Sequence, residues 1–256
     1  MGRRLLVVTV SVLVLLSIAG GVGHSATKIQ DGKKRYYRVI LTEGVKEDRI
    51  ERTVFKTVKF WYRLKDGELH GDPVWIMERE DRNETGDTMK SLFYIDPKDF
   101  TLIESDIKLY NRDGRIIDDV HSYYKNVFQP LPKKVIHAYM KPLALQYLDL
   151  NQGVSTKITS VFSLQFAPLG MIAKVEGEET ITVPAGTFEC VKIALDYDLR
   201  DLPAILKFIP PFVIRSFISR HYAWVEKAPP HAMIKYSGKL GGPGAPNMVE
   251  ELVKVE

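Results

Sequence analysis

The sequence predicts a mainly β (α+β) fold: one large curved antiparallel sheet, a half-barrel around a short helical or loop plug. Three observations predict it. Beyond residue 33 the chain is a succession of about a dozen short runs rich in Val, Ile, Tyr, Phe and Trp. Tight-turn chemistry separates the runs. Strands joined by turns of about two to four residues must be antiparallel, because a parallel pair needs a crossover of roughly a dozen residues or more. Only one stretch before residue 200 carries apolar side chains at helical spacing.

The elements follow in chain order. Strand-like runs occupy 36–42, 53–64, 73–79, 89–96, 102–111 and 115–124. Lys65-Asp66-Gly67, Asp96-Pro97-Lys98-Asp99 and Arg112-Asp113-Gly114 read as turns, with Gly supplying positive φ or Pro presetting φ. After Gln129-Pro130-Leu131-Pro132 comes an apolar stripe of Ile136, Tyr139, Met140, Leu143 and Tyr147. That stripe predicts a helix, which Pro142 must kink or break, packed on the concave face of the sheet. Strand runs resume at 157–166, 170–183, 187–199, 219–227, 233–239 and 248–255, with Pro184-Ala185-Gly186 as another turn. One face of the sheet is expected to be apolar and the other wet. No composition shift or long flexible linker divides residues 27–256, which read as a single half-barrel domain.

With 256 residues, 45% of them hydrophobic and 27% charged, the chain can build its own core. This excludes a disordered tail, a collagen-like fibre and a disulfide-stapled miniprotein. The formal net charge is +4, and two of the basic residues are Arg3 and Arg4. Without those two, 34 basic residues face 32 acidic ones, too even a balance to argue for nucleic acid or an acidic substrate. Residues 1–26 have a basic start, an apolar run over 5–18 and an exit of small residues ending in Ser25 and Ala26. That is the layout of a secretory signal peptide, with an uncleaved inner-membrane anchor through 5–23 as the alternative. The expected location is the periplasm. Cys190 is the lone cysteine, so no internal disulfide can form; its apolar surroundings predict a buried small hydrophobe.

Conventional catalytic signatures are missing. There is no His-Glu-x-x-His, no cysteine pair for zinc and no Gly-x-Ser-x-Gly elbow. Asp81-Arg82-Asn83-Glu84-Thr85-Gly86 imitates the start of a calcium loop, but Leu92 stands where a bidentate Glu is needed. Asp118, Asp119 and His121 are the best residues for an unrecognised hydrolase; equally, Asp119 and His121 share a strand face and suit a solvated pair. The segment 201–217 is strongly apolar, yet Pro203, Pro210 and Pro211 make it a poor strand or helix. It reads either as a buried plug of the concave face or as a lid or membrane-touching lip at a cavity mouth. In the second reading Lys207, Arg215 and Arg220 meet anionic headgroups. Leu202, Ile205, Phe208, Phe212 and Phe217, with Trp224, are the candidate ligand-binding residues.

Two stretches carry a family resemblance. One is Val183-Pro184-Ala185-Gly186-Thr187-Phe188; the other is Ala223-Trp224-Val225 with the closing Met233-Ile234-Lys235-Tyr236. Together they resemble an exported bacterial family of unknown function whose members look like periplasmic lipoprotein-localisation (LolA/LolB-like) carriers. The resemblance implies a half-barrel wrapped around helical or loop elements, with an apolar concavity and no established catalytic residues; no metal or cofactor is expected. The expectation is therefore a periplasmic, non-enzymatic protein of the cell envelope that holds a lipid, an acyl chain of a lipoprotein or another apolar ligand. Membrane-surface contact is part of it, and nucleic acid is not. The alternative is a structural or interaction module that docks a protein partner through 201–217.

Overall fold

The computed structural model describes residues 31–42, 57–98, 100–124, 135–137, 140–161, 169–201, 220–239 and 247–256. The expected leader at 1–26 lies outside them. The described residues form thirteen strands in one sheet. These are β1 (Arg35–Thr42), β2 (Thr57–Leu69), β3 (Asp72–Asn83), β4 (Thr88–Ile95), β5 (Leu102–Tyr110), β6 (Ile116–Tyr123), β7 (Val135–His137), β8 (Ser155–Val161), β9 (Leu169–Val183), β10 (Gly186–Tyr197), β11 (His221–Glu226), β12 (Met233–Lys239) and β13 (Asn247–Val255). The spatial order is β6-β5-β4-β3-β2-β1-β13-β12-β11-β10-β9-β8-β7. Two antiparallel meanders are thus joined where the first strand pairs with the last. β7 alone adds in parallel, on β8. Among the described residues the sheet does not close, and β6 and β7 are its two edges.

Alternation sets the inner face. Phe60, Tyr62 and Leu64 of β2, Trp75 and Met77 of β3 and Phe93 and Ile95 of β4 are buried at every second position. Helix α1 (Lys141–Gln146) lies against this face and buries Leu143, Ala144 and Leu145. It packs on β11 and β12, while the Gln146 amide donates to the Tyr62 hydroxyl of β2 at 2.9 Å. β2 and β11 are separated by three intervening strands, roughly 19 Å across a flat sheet. One six-residue helix can touch both only if the sheet curls around it. This is the half-barrel and its plug.

Two local expectations are corrected. Lys65, Asp66 and Gly67 are not a turn: β2 runs through them, Gly67 opposite Val74, and the reversal falls at His70 and Gly71, both at positive φ. Ile76 explains the glycine, because a Cβ on residue 67 would lie 2.3 Å from its Cδ1. The expected helix over 136–147 is also shorter. Residues 135–137 pair as a strand, and Pro142 opens α1 at its first turn instead of kinking it.

The two ends of the half-barrel are unlike. At one end, short reversals join β2 to β3, β4 to β5, β9 to β10 and β11 to β12, and a single longer connection, 124–134, joins β6 to β7. At the other end, β1 connects to β2 through 43–56, β8 to β9 through 162–168, β10 to β11 through 198–220 and β12 to β13 through 240–246. The antiparallel order places these four longer connections on one rim.

Candidate functional site

The inner face is not wholly apolar. On β3, Arg79 and Asp81 continue the buried series of Trp75 and Met77, so two charges stand at core positions. They neutralise each other through a bidentate pair: Arg79 Nε donates to Asp81 Oδ2 at 2.7 Å and Nη2 to Oδ1 at 2.6 Å. The Thr57 hydroxyl donates to the same carboxylate, and the guanidinium lies 3.8 Å above the Phe60 ring. This pairing, and not a calcium loop, is the role of Asp81.

A second pair pins the plug to the sheet. Lys141, the first residue of α1, donates to Glu250 Oε1 of β13 at 2.8 Å and sits 3.5 Å over the Tyr236 ring of β12. Burial lowers the Lys141 pKa against the opposing pull of Glu250. Glu250 Oε2 is buried without a hydrogen-bond partner among the described residues. Tyr236 in turn hydrogen-bonds His221 Nδ1 of β11. Burial raises the phenol pKa well above its usual value, so the tyrosine is the donor and the imidazole nitrogen the acceptor. His221 is held neutral, its pKa lowered to about 4 by burial first and by the Lys141 ammonium second. Gly238 makes room for the imidazole: a Cβ there would be 2.3 Å from His221 Nδ1.

These six groups come from four strands and a helix. Sequence reasoning missed the cluster, and part of it had a signal. Arg79 and Asp81 break the apolar alternation of a strand otherwise buried on one face, which marks charges that need buried partners. Nothing local to Lys141 or Glu250 announces that they meet across 109 residues.

The predicted site residues divide. Leu202, Ile205, Phe208, Phe212 and Phe217 lie outside the described residues. Trp224 is described and stands on the other face from the one expected. In β11 the buried residues are His221, Ala223 and Val225, so Trp224 points outward with Tyr222. Its indole N–H donates to Glu179 Oε2 at 2.8 Å, a bond the wet side of the sheet permits. Trp224 therefore does not line the concave face. Both ends of the connection that carries the other five are tied down by ion pairs. Asp198 binds Arg200 at 2.8 Å and Lys157 of β8 at 3.2 Å; Arg220 binds Asp196 at 2.9 Å.

Asp118, Asp119 and His121 lie on the exposed edge strand β6. Asp119 pairs with Lys108 at 3.1 Å, and His121 hydrogen-bonds Asp106 through Nδ1. Cys190 is fully buried and burial pushes its thiol up to about 12, so it is a core side chain and no nucleophile. Among the described residues no three His, Cys, Asp or Glu side chains form a group that could hold a metal ion. No described helix is long and apolar enough to cross a membrane.

The fold and its interior define an open antiparallel half-barrel closed on its concave side by a short helix. The chain belongs to the DUF3108-like family, which matches residues 74–205. Among solved structures it is similar to a β-barrel-like protein of the domain of unknown function DUF1849 from Brucella abortus, with 10% identity, a TM-score of 0.49, and coverage of 88% of this chain and 96% of that one. It is also similar to the lipoprotein YmcC of Escherichia coli, at 10% identity, a TM-score of 0.29 and coverage of 91% and 90%. A lipoprotein-sorting protein domain from Vibrio parahaemolyticus aligns at 9% identity and a TM-score of 0.24, covering 90% of this chain and 88% of that one. No curated protein matches the chain.

Proposed function

We propose that this chain is a non-enzymatic binding protein of the bacterial cell envelope, holding a lipid or other apolar ligand at the concave face of its half-barrel. The observation that carries the reading is the unequal pair of rims. Four longer connections leave one end of the sheet. Three of them, 162–168, 202–219 and 240–246, are apolar or glycine- and proline-rich, although connecting segments are usually polar. Mouths of β half-barrels and barrels are where small apolar ligands enter. The ion pairs at Asp198 and Arg220 fix the roots of the most apolar connection on the sheet.

The energy of such a site is hydrophobic. Each buried methylene is worth about 0.8 kcal/mol, so a ten-carbon chain supplies roughly 8 kcal/mol before ordering costs. Leu202, Ile205, Phe208, Phe212 and Phe217 are the residues proposed to contact it. The leader-like residues 1–26 support export, and the periplasm is the proposed compartment.

Native mass spectrometry of the full chain purified from an envelope fraction tests this. A reproducible adduct of lipid mass, lost under denaturing conditions and reduced by Phe208→Asp or Phe212→Asp, is expected. A bare protein mass at every concentration of added phospholipid overturns the reading.

A further inference from the structure

On the concave face of β13 a carboxylate, Glu250, stands between Met248 and Leu252 in a row that is otherwise apolar. Glu250 is 4% exposed, and its two oxygens are unlike. Oε1 accepts from Lys141, while Oε2 is buried with no hydrogen-bond partner among the described residues. An acceptor left so is costly inside a protein unless something donates to it. The Lys141 ammonium carries three N–H groups. Among the described residues one is used on Oε1, and the ammonium also sits over the Tyr236 ring, which leaves a donor to spare. An unmet acceptor and a spare donor thus stand side by side. Charge restricts what can meet them. Lys141 and Arg79 balance Glu250 and Asp81, and His221 is neutral, so the cluster is neutral already. A carboxylate can accept from Lys141 but brings a further negative charge against Oε2. An ammonium can donate to Oε2 but adds a cation beside Lys141. A hydroxyl donates to the one, accepts from the other and carries no charge to desolvate.

We propose that Glu250 and Lys141 bind the hydroxyl of an uncharged lipid, such as a long-chain alcohol or a diacylglycerol, whose apolar part lies towards the rim of longer connections. This rests on the reading of the chain as a binder of apolar ligands, and it names the class of ligand. The position of the pair sets the orientation. Glu250 lies three residues inside the start of β13, and His221 is the first residue of β11, both at that rim. On the other side of Glu250, away from the rim, Leu252 and Met233 are buried core side chains. The hydroxyl therefore points inward and the chain outward.

Displacement of a fluorescent apolar dye from the purified full chain at neutral pH tests the proposal, with decanol, its methyl ether and decanoate as competitors. The ether accepts a hydrogen bond but cannot donate one. Decanol is expected to compete about tenfold better than the ether, the factor that a hydrogen bond to a charged group supplies. Plain hydrophobic burial runs the other way, because the ether has the more apolar head. Lys141→Met combined with Glu250→Leu removes the pair without stranding a charge, and there the ether should compete at least as well as decanol. The comparison in the unaltered chain needs no variant, so it stands even where that double variant fails to fold. Equal competition by alcohol and ether in the unaltered chain overturns the proposal while leaving the apolar-ligand reading in place. Stronger competition by decanoate than by decanol does the same and assigns Lys141 to an acid. No competition by any of the three overturns the apolar-ligand reading itself, and this proposal with it.

Discussion

Acidification should destabilise this protein through His221, and the size of the effect can be worked out. His221 is buried on the concave face, accepts the Tyr236 hydroxyl at Nδ1 and has the Lys141 ammonium as its positive neighbour. The same environment lowers its pKa from 6.5 to about 4, with Asp196 pulling weakly the other way. A histidine depressed in the folded state stays neutral there while the unfolded chain takes up a proton. Its contribution is fully present above 6.5 and is lost as pH falls towards about 4. At about 1.4 kcal/mol per unit the full loss is about 3 kcal/mol, and about 2 kcal/mol of it falls between about pH 7.5 and about pH 5. The assay is urea unfolding of the native chain and of His221→Gln at those two pH values. Groups common to both proteins cancel in the difference. The variant should lose about 2 kcal/mol less than the native chain on acidification. Equal losses in both would refute the reasoning, since they would show that His221 takes up its proton at the same pH in folded and unfolded chains.

The other predictions test packing and pairing. Gly238→Ala forces a methyl into the His221 ring and should cost about 1–3 kcal/mol in a urea midpoint, whereas Gly67→Ala meets the Cδ1 and Cγ1 of Ile76, an aliphatic chain that can change rotamer, and should cost less. Replacing Glu250 by Ala leaves the Lys141 ammonium largely buried without its carboxylate, at about 3–5 kcal/mol, and adding Lys141→Met should recover most of it. A double-mutant cycle measures that coupling, and additive losses would contradict it. Cys190 should resist thiol reagents in the native protein and react at the rate of global unfolding, checked by mass spectrometry of timed samples.

Much of the architecture is legible because strands and reversals are local. The strand series 36–42, 89–96, 102–111, 233–239 and 248–255 agrees with the observed strands to within a residue or so at each end. The alternation in Phe60, Tyr62 and Leu64 needs only the two-residue period of a strand. Misreadings fall where a distant partner outweighs local chemistry. Lys65-Asp66-Gly67 has the composition of a turn, but pairing with Val74, Trp75 and Ile76 keeps it in β2. The stripe from Ile136 to Tyr147 has helical spacing, but the free edge of β8 draws residues 135–137 into the sheet. Trp224 has the composition of a ligand contact, and the parity of β11 turns it outward to Glu179.

The site divides in the same way. Composition and period determined a strand-rich chain with a leader-like start, one buried cysteine and an apolar connection before β11, since each is a property of neighbouring residues. Tertiary structure alone decided that Lys141 meets Glu250, that burial and Lys141 hold His221 neutral against the Tyr236 hydroxyl, and that Arg79 and Asp81 pair beside the Phe60 ring. These charges are tolerable inside only when partners far away in sequence arrive within hydrogen-bond distance, and no local period encodes which partner that is.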